Sequence, residues 1–211
     1  MRKHVALESF TGDSVYDSNS LESMGCHLFF GEVNTETSYA ACEFILKSNL
    51  MQQNADPITM IFNSVGGDTS DGFAVIDLMG TSRLPVATVG VGNMMSMGVL
   101  LVAAGSKGYR ALTKNTTVMA HQFAGYFSGK QHELIATQTA YNMLEESFIR
   151  HFLRHSKMSE KQIMDVLFSP TDRYLTPAEC RKFGLCDRVV EYFDAPIPVK
   201  KPRVGRSSSA Q

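Results

Sequence analysis

Three short, β-rich apolar runs each end at a turn rich in polar or glycine residues, and a helical pattern follows each turn. Ile58 to Phe62 ends in Asn63-Ser64-Val65-Gly66-Gly67-Asp68, and Phe73, Ile76 and Met79 then recur at helical spacing. Val86 to Val91 is broken by Gly92-Asn93, and a small-residue helix follows over about Met97 to Ala104. Thr116 to Ala120 ends at His121; after Gly125 to Gly129 comes the longest helix, Gln131 to His155. Leu134, Ile135, Leu144, Phe148 and Phe152 give that helix a broad apolar face. Alternating strands and helices predict βαβ units, a largely parallel sheet and an α/β fold. Such folds place their sites beyond the carboxyl ends of the strands.

The flanks extend this pattern. Cys26 to Phe30 reads as a strand, followed by a helix capped at Asn34 or Thr35. Ser159-Glu160-Lys161-Gln162 is a capping box, in which side chains at both ends satisfy free N–H groups. Thr176-Pro177-Ala178-Glu179 is another, with Pro at the first helical position and Gly184 past the end. Val189-Val190 reads as a last short strand. Residues 1–24 are polar and Ser-rich, which predicts a loop or N-terminal arm. Residues 25–194 form the expected domain, and the Pro, basic and Ser-rich stretch 195–211 a disordered tail.

Composition excludes several classes. Net charge is −1, without the basic excess of a nucleic-acid or membrane-surface binder. The longest apolar run, Val99 to Ala104, is far below the roughly 18 residues that span a bilayer. No apolar stretch follows the basic N-terminus, so a signal peptide is not expected and a cytoplasmic protein is. Cys26, Cys42, Cys180 and Cys186 include no C-x-x-C pair. Free thiols, no metal and no cofactor are expected.

Chemistry concentrates in the three turns. Glycines at 66 and 67 let a backbone approach a ligand and aim its N–H groups at it. Ser96, between a strand and a helix, sits where unpaired N–H groups are free to hold an oxyanion, although a plain N-cap serine is the simpler reading of that fragment alone. His121 ends the third run, and a histidine is the side chain suited to take a proton from a serine at neutral pH. A third group, a carboxylate, usually orients such a histidine, and Asp172 in the loop before Thr176 is the candidate.

Together these residues give the chain, from Leu28 to Val190, a resemblance to the Clp protease proteolytic subunit (caseinolytic protease). Asn63-Ser64-Val65-Gly66-Gly67 stands where that family has Asn-Ser-Pro-Gly-Gly. Asn93-Met94-Met95-Ser96-Met97-Gly98 is similar to its Gln-Ala-Ala-Ser-Met-Gly nucleophile segment. Met119-Ala120-His121-Gln122 matches Met-Ile-His-Gln, and Asp172-Arg173-Tyr174-Leu175-Thr176 matches the acid segment. The resemblance implies a crotonase-like fold of repeated ββα units with a long protruding helix. It implies a serine endopeptidase with Ser96 as nucleophile, His121 as base and Asp172 as acid. The N–H groups of Gly67 and Met97 would form the oxyanion hole. An extended peptide would lie along Gly66, Asp68, Thr69, Ser70, Gln122 and Gly125. Family members form heptameric rings, usually stacked in pairs to a tetradecamer. They degrade unfolded polypeptides that a Clp-type ATPase unfoldase threads into the chamber.

The chain departs from the family pattern in places. Val65 replaces a proline, and Thr171 stands where an arginine usually links the two rings. Positions that line the ATPase docking pocket, including Thr59, Ile61, Thr81, Ala111 and Thr113, lack the usual aromatic anchors, which dominate interface energies. No long propeptide precedes the match, so activation by self-cleavage is not expected. These features fit a divergent, for example phage-encoded, member. They also define an alternative, a weak or inactive ring subunit that modifies a host Clp protease. Other crotonase-fold chemistries, an acyl-CoA hydratase or a serine-lysine peptidase, fit Ser96, His121 and Asp172 less well.

Overall fold

The computed structural model describes residues 20–52, 54–122 and 128–191. The expected C-terminal tail, most of the N-terminal arm, and Gly125 lie outside them. In chain order the elements are β1 (Cys26–Phe30), α1 (Thr35–Met51), β2 (Ile58–Ser64), α2 (Thr69–Thr81), β3 (Val86–Met95), α3 (Met97–Ala103), β4 (Arg110–Thr113) and β5 (Thr117–Ala120). After these come α4 (Gln131–His155), α5 (Glu160–Gln162), a π-helical turn (Ile163–Leu167), β6 (Arg173–Leu175), α6 (Pro177–Phe183) and β7 (Arg188–Val190).

The fold is α/β with a mostly parallel sheet. Strands β1, β2, β3, β4 and β7 lie side by side in that order, all parallel. Strand β5 pairs with β3 in parallel, and β6 with β5 antiparallel. Strand β3 therefore serves two neighbours along its length. Its first half pairs with β4 (Thr88 opposite Arg110) and its last three residues with β5 (Asn93 opposite Thr117).

The switch between neighbours occurs at Gly92. The run does not stop at Val91, as its Gly-Asn pair suggested, but continues to Met95. Gly92 takes φ +59°, a region that favours glycine, and a Cβ there would lie 2.8 Å from Asn63 Oδ1. Asn63 Oδ1 in turn accepts the Asn93 N–H at 3.0 Å. A side chain of the first turn thus holds the bulge that carries β3 onward, and β2 itself runs on to Ser64.

Helix α3 is buried along its whole length. Helix α4 spans the range its periodicity predicts, but its apolar face is not all core. Leu134 and Ile135 are exposed, whereas Phe148, His151 and Phe152 are buried. The C-terminal turns pack on the body and the N-terminal half projects from it. Asn34, Ser159 and Thr176 cap helices as expected, and Gly184 closes α6 in a left-handed conformation.

Candidate active site

Ser96 occupies the single-residue junction between β3 and α3. Its backbone lies at φ 52°, ψ −122°, and it is the one non-glycine with positive φ among the described residues. Such a conformation costs on the order of 1–3 kcal/mol and persists only where surrounding structure enforces it. Here the enforcement comes from the Ser96 N–H, which donates to Met119 O at 2.8 Å, and the Ser96 carbonyl, which accepts the Val99 N–H at 3.0 Å. The hydroxyl makes no capping hydrogen bond. The plain N-cap reading of this serine therefore fails.

Gly66 packs directly against Ser96, and Gly67 follows it into the cavity lining. A Cβ on Gly66 would stand 2.6 Å from Ser96 Cβ and 3.1 Å from Met97 N, so only glycine fits. Gly67 bridges Val33 in parallel fashion. The bonds of that bridge belong to its neighbours: Val33 N–H donates to Gly66 O and Asp68 N–H to Val33 O, both at 2.8 Å. The alternation of a parallel ladder turns the N–H of Gly67 itself away from Val33. Asp68 accepts the Asp71 N–H at 2.9 Å and caps α2.

Strand register brings in the remaining residues. Met95 lies opposite Met119 on β5, so His121 comes one step past the position facing Ser96. On the other side of β5 the antiparallel register runs Val118 to Leu175, Met119 to Tyr174 and Ala120 to Arg173. Its next step sets His121 opposite Asp172. The stretch before Thr176, read as a loop, contains the strand that makes this pairing. Adjacent strands are about 4.8 Å apart. Among the described residues no hydrogen bond joins Ser96, His121 and Asp172 to one another. Without a bound substrate such bonds are often long.

Ser96, His121, Gly67, Asp68, Thr69 and Gln122 all line one cavity of about 530 Å³. Asp172 is exposed and outside its lining, Ser70 opens on a separate groove, and Gly66 and Met97 form the buried backing of Ser96. The cavity also has an apolar wall that site reasoning from the motifs passed over. Val99, Tyr141, Leu144, Phe148, Leu167 and Phe168 belong to it. The helical spacing along α4 carried part of that signal; Leu167 and Phe168, at the end of the π-helical turn, gave none.

Other nucleophiles are muted. All four cysteines are free, and burial pushes the thiols of Cys180 and Cys186 up to about 12 and about 11. Thiols held this high are inert at neutral pH. Among the described residues no group of three or more His, Cys, Asp or Glu side chains is placed to hold a metal ion. No helix among them is long and apolar enough to cross a membrane.

A strained serine before a buried helix, Gly66 against it, and Gly67 and a histidine just past the neighbouring strand in the same cavity make an arrangement suited to acyl transfer. A family model described as Clp protease matches residues 13–193, most of the chain. The chain belongs to the Clp protease family.

Proposed function

We propose that this protein is a serine endopeptidase in which Ser96 attacks the peptide carbonyl. His121 takes the Ser96 proton as the tetrahedral adduct forms and returns it to the leaving amine. A water then repeats the sequence on the acyl-enzyme and frees Ser96. Asp172 holds the imidazole in the required tautomer. The N–H groups of Gly67 and Met97 receive the oxyanion, a contribution of about 2.7–4 kcal/mol per donor in comparable sites. The observation that carries this reading is Ser96 itself, held at positive φ beside Gly66 and one register step from His121.

Substrate is an extended segment of unfolded polypeptide that lies beside Gly66 to Ser70 and the stretch from Gln122 to Gly125. The apolar wall of Phe148, Leu167 and Phe168 suits a large apolar side chain next to the cleaved bond. Residues 25–194 form the peptidase domain. It works in heptameric rings stacked in pairs in the cytoplasm, supplied by a Clp-type ATPase, with 1–24 as an axial arm. Of the docking positions that lack aromatics, Thr59 and Ala111 are buried, so any ATPase contact falls on their more exposed neighbours.

Hydrolysis of fluorogenic peptides by the wild-type chain and by Ser96→Ala, together with labelling by a fluorophosphonate, tests the reading. Activity and a single label on Ser96, both absent in the variant, are expected. Unchanged hydrolysis by the variant excludes this nucleophile. A folded wild-type chain that neither cleaves nor labels, yet enters rings with an active Clp protease, is the modifying subunit instead.

A further inference from the structure

A second groove, of about 850 Å³, lies between α2 and the C-terminal turns of α4. Arg150, His151, Arg154 and His155 of α4 all line it. Its apolar wall comes from Phe73, Ile76, Ala104 and Leu144, and its one carboxylate is Asp77 of α2. Arg150 donates to Ser147 Oγ at 3.3 Å. Neither Arg150 nor Arg154 meets a carboxylate within ion-pair distance among the described residues. Like charges four residues apart on a helix repel, and the one carboxylate of the groove, Asp77, forms an ion pair with neither arginine. Arg110 on β4, behind the groove, is already committed to Asp187.

We propose that this groove binds a small organic phosphate, its anion held by Arg150 and Arg154 and its apolar body by Phe73, Ile76 and Leu144. Guanidinium groups match phosphate oxygens as planar forks. The histidines report the same field. Burial first, then Arg154, Arg110 and Lys107, push His155 down to about 4. Burial, then His155, with lesser parts from Arg110 and Arg154, push His151 down to about 3 against the opposing hydrogen bond to Leu100. A bound dianion opposes the cationic part of that shift on His155, the more exposed ring. The groove backs onto the Ser96 cavity: Leu144 lines both, and Phe73 meets Phe148 edge-on at 5.2 Å.

The test is calorimetric titration and thermal melting of the full chain with phenyl phosphate, inorganic phosphate and benzyl alcohol. Phenyl phosphate is expected to bind and raise the melting temperature, inorganic phosphate to bind more weakly, and benzyl alcohol to do neither. The exposed pair Arg150→Gln/Arg154→Gln should keep the fold and weaken phenyl phosphate by about tenfold or more, while Asp77→Asn should tighten it. The imidazole resonances of His155 should titrate at higher pH with phenyl phosphate present. Absence of binding at millimolar phenyl phosphate, or binding unchanged in the double variant, overturns the proposal. Loss of self-association in the double variant, with no phenyl phosphate bound by wild type, assigns the arginines to a contact between copies and also overturns it. None of these readouts depends on peptidase activity.

Discussion

Arg110 and Asp187 form a two-point ion pair: Nη2 lies 2.7 Å from Oδ1, Nε donates to Oδ2 at 3.1 Å, and the Arg110 side chain is only 4% exposed. Asp187 Oδ2 also accepts the N–H groups of Gly108 and Arg110. Arg110 Nη1 donates to the carbonyls of Ala103 and His155. One side chain therefore gathers β4, the turn before β7, and the ends of α3 and α4. Because α3 begins immediately after Ser96, this clasp fixes one end of the helix whose other end positions Ser96.

Removing only the acid leaves a buried cation unpaired. Asp187→Asn is expected to destabilise the fold by about 3 kcal/mol, measured by urea unfolding. A paired Arg110→Met/Asp187→Leu variant should lose less than the two single losses added. Burial raises the Asp187 carboxyl, but hydrogen bonds from the Arg110 guanidinium and from the backbone of Arg110 and Gly108 win, so its pKa lies below the ordinary carboxylate value. Its stabilisation is therefore complete above pH 4 and is lost as pH falls through the folded value. The single variant should flatten that acid limb.

His151 gives stability a second pH dependence. Its Nε2 lies 3.1 Å from Leu100 O on α3, and burial pushes its pKa from 6.5 down to about 3. The folded state holds it neutral while the unfolded chain protonates at 6.5. Stability is then full above pH 6.5 and falls below it, by about 1.4 kcal/mol per unit until the folded value is reached. Unfolding free energies between pH 7 and pH 5 should show this slope in wild type and a shallower one in His151→Gln. An equal slope in both would remove His151 as its source.

Gly67 offers a test of the proposed oxyanion hole. A Cβ there would fall 2.2 Å from Val33 O, and its φ of +147° is strained for any side chain. Gly67→Ala must open the bridge to Val33 and displace the Gly67 N–H. A loss of about 10²-fold or more in kcat is expected, the scale of removing one oxyanion donor. Thermal melting should fall by only a few degrees, because the bridge lies outside the main sheet. A variant with unimpaired kcat would detach Gly67 from the chemistry.

Regular periodicity made much of this architecture legible in sequence. Helix α4, β1 and the capped starts of α1, α5 and α6 follow from apolar spacing and local side-chain bonds. What was not legible depended on distant partners. Strand β4 is four residues long and opens with a buried arginine, whose burial makes sense only beside Asp187. The extension of β3 past Gly92 requires Asn63 from another turn. Strand β6 has only three residues, and β5 defines it. At the site, Ser96 carries no local signature that separates it from a capping serine; its strained backbone is a product of Met119 on the next strand. The wall residues Leu167 and Phe168 follow a π-helical turn, which has no simple sequence period.

The register between β5 and β6 makes Asp172 the most demanding test of the site. Extending Ala120 opposite Arg173 by one step sets His121 opposite Asp172. Side chains directly opposite on antiparallel strands lie about 4.5–5.5 Å apart at Cβ, within reach of a hydrogen bond after a rotamer change. Asp172 is exposed, however, and β6 is an edge strand of three residues. Its alignment therefore depends on whatever pins that edge. If Asp172 orients His121, Asp172→Asn should lower kcat by as much as about 10⁴-fold with little change in KM or melting temperature. A fall limited to a few-fold would mean that His121 works without it. Shortening the preceding loop by deleting Ser169 tests the alignment separately, because it shifts the edge strand while the chain keeps its Asp172 carboxylate. Loss of activity in that variant, with Ser96 still reactive toward a fluorophosphonate, would place the control of the proposed peptidase activity in the position of β6.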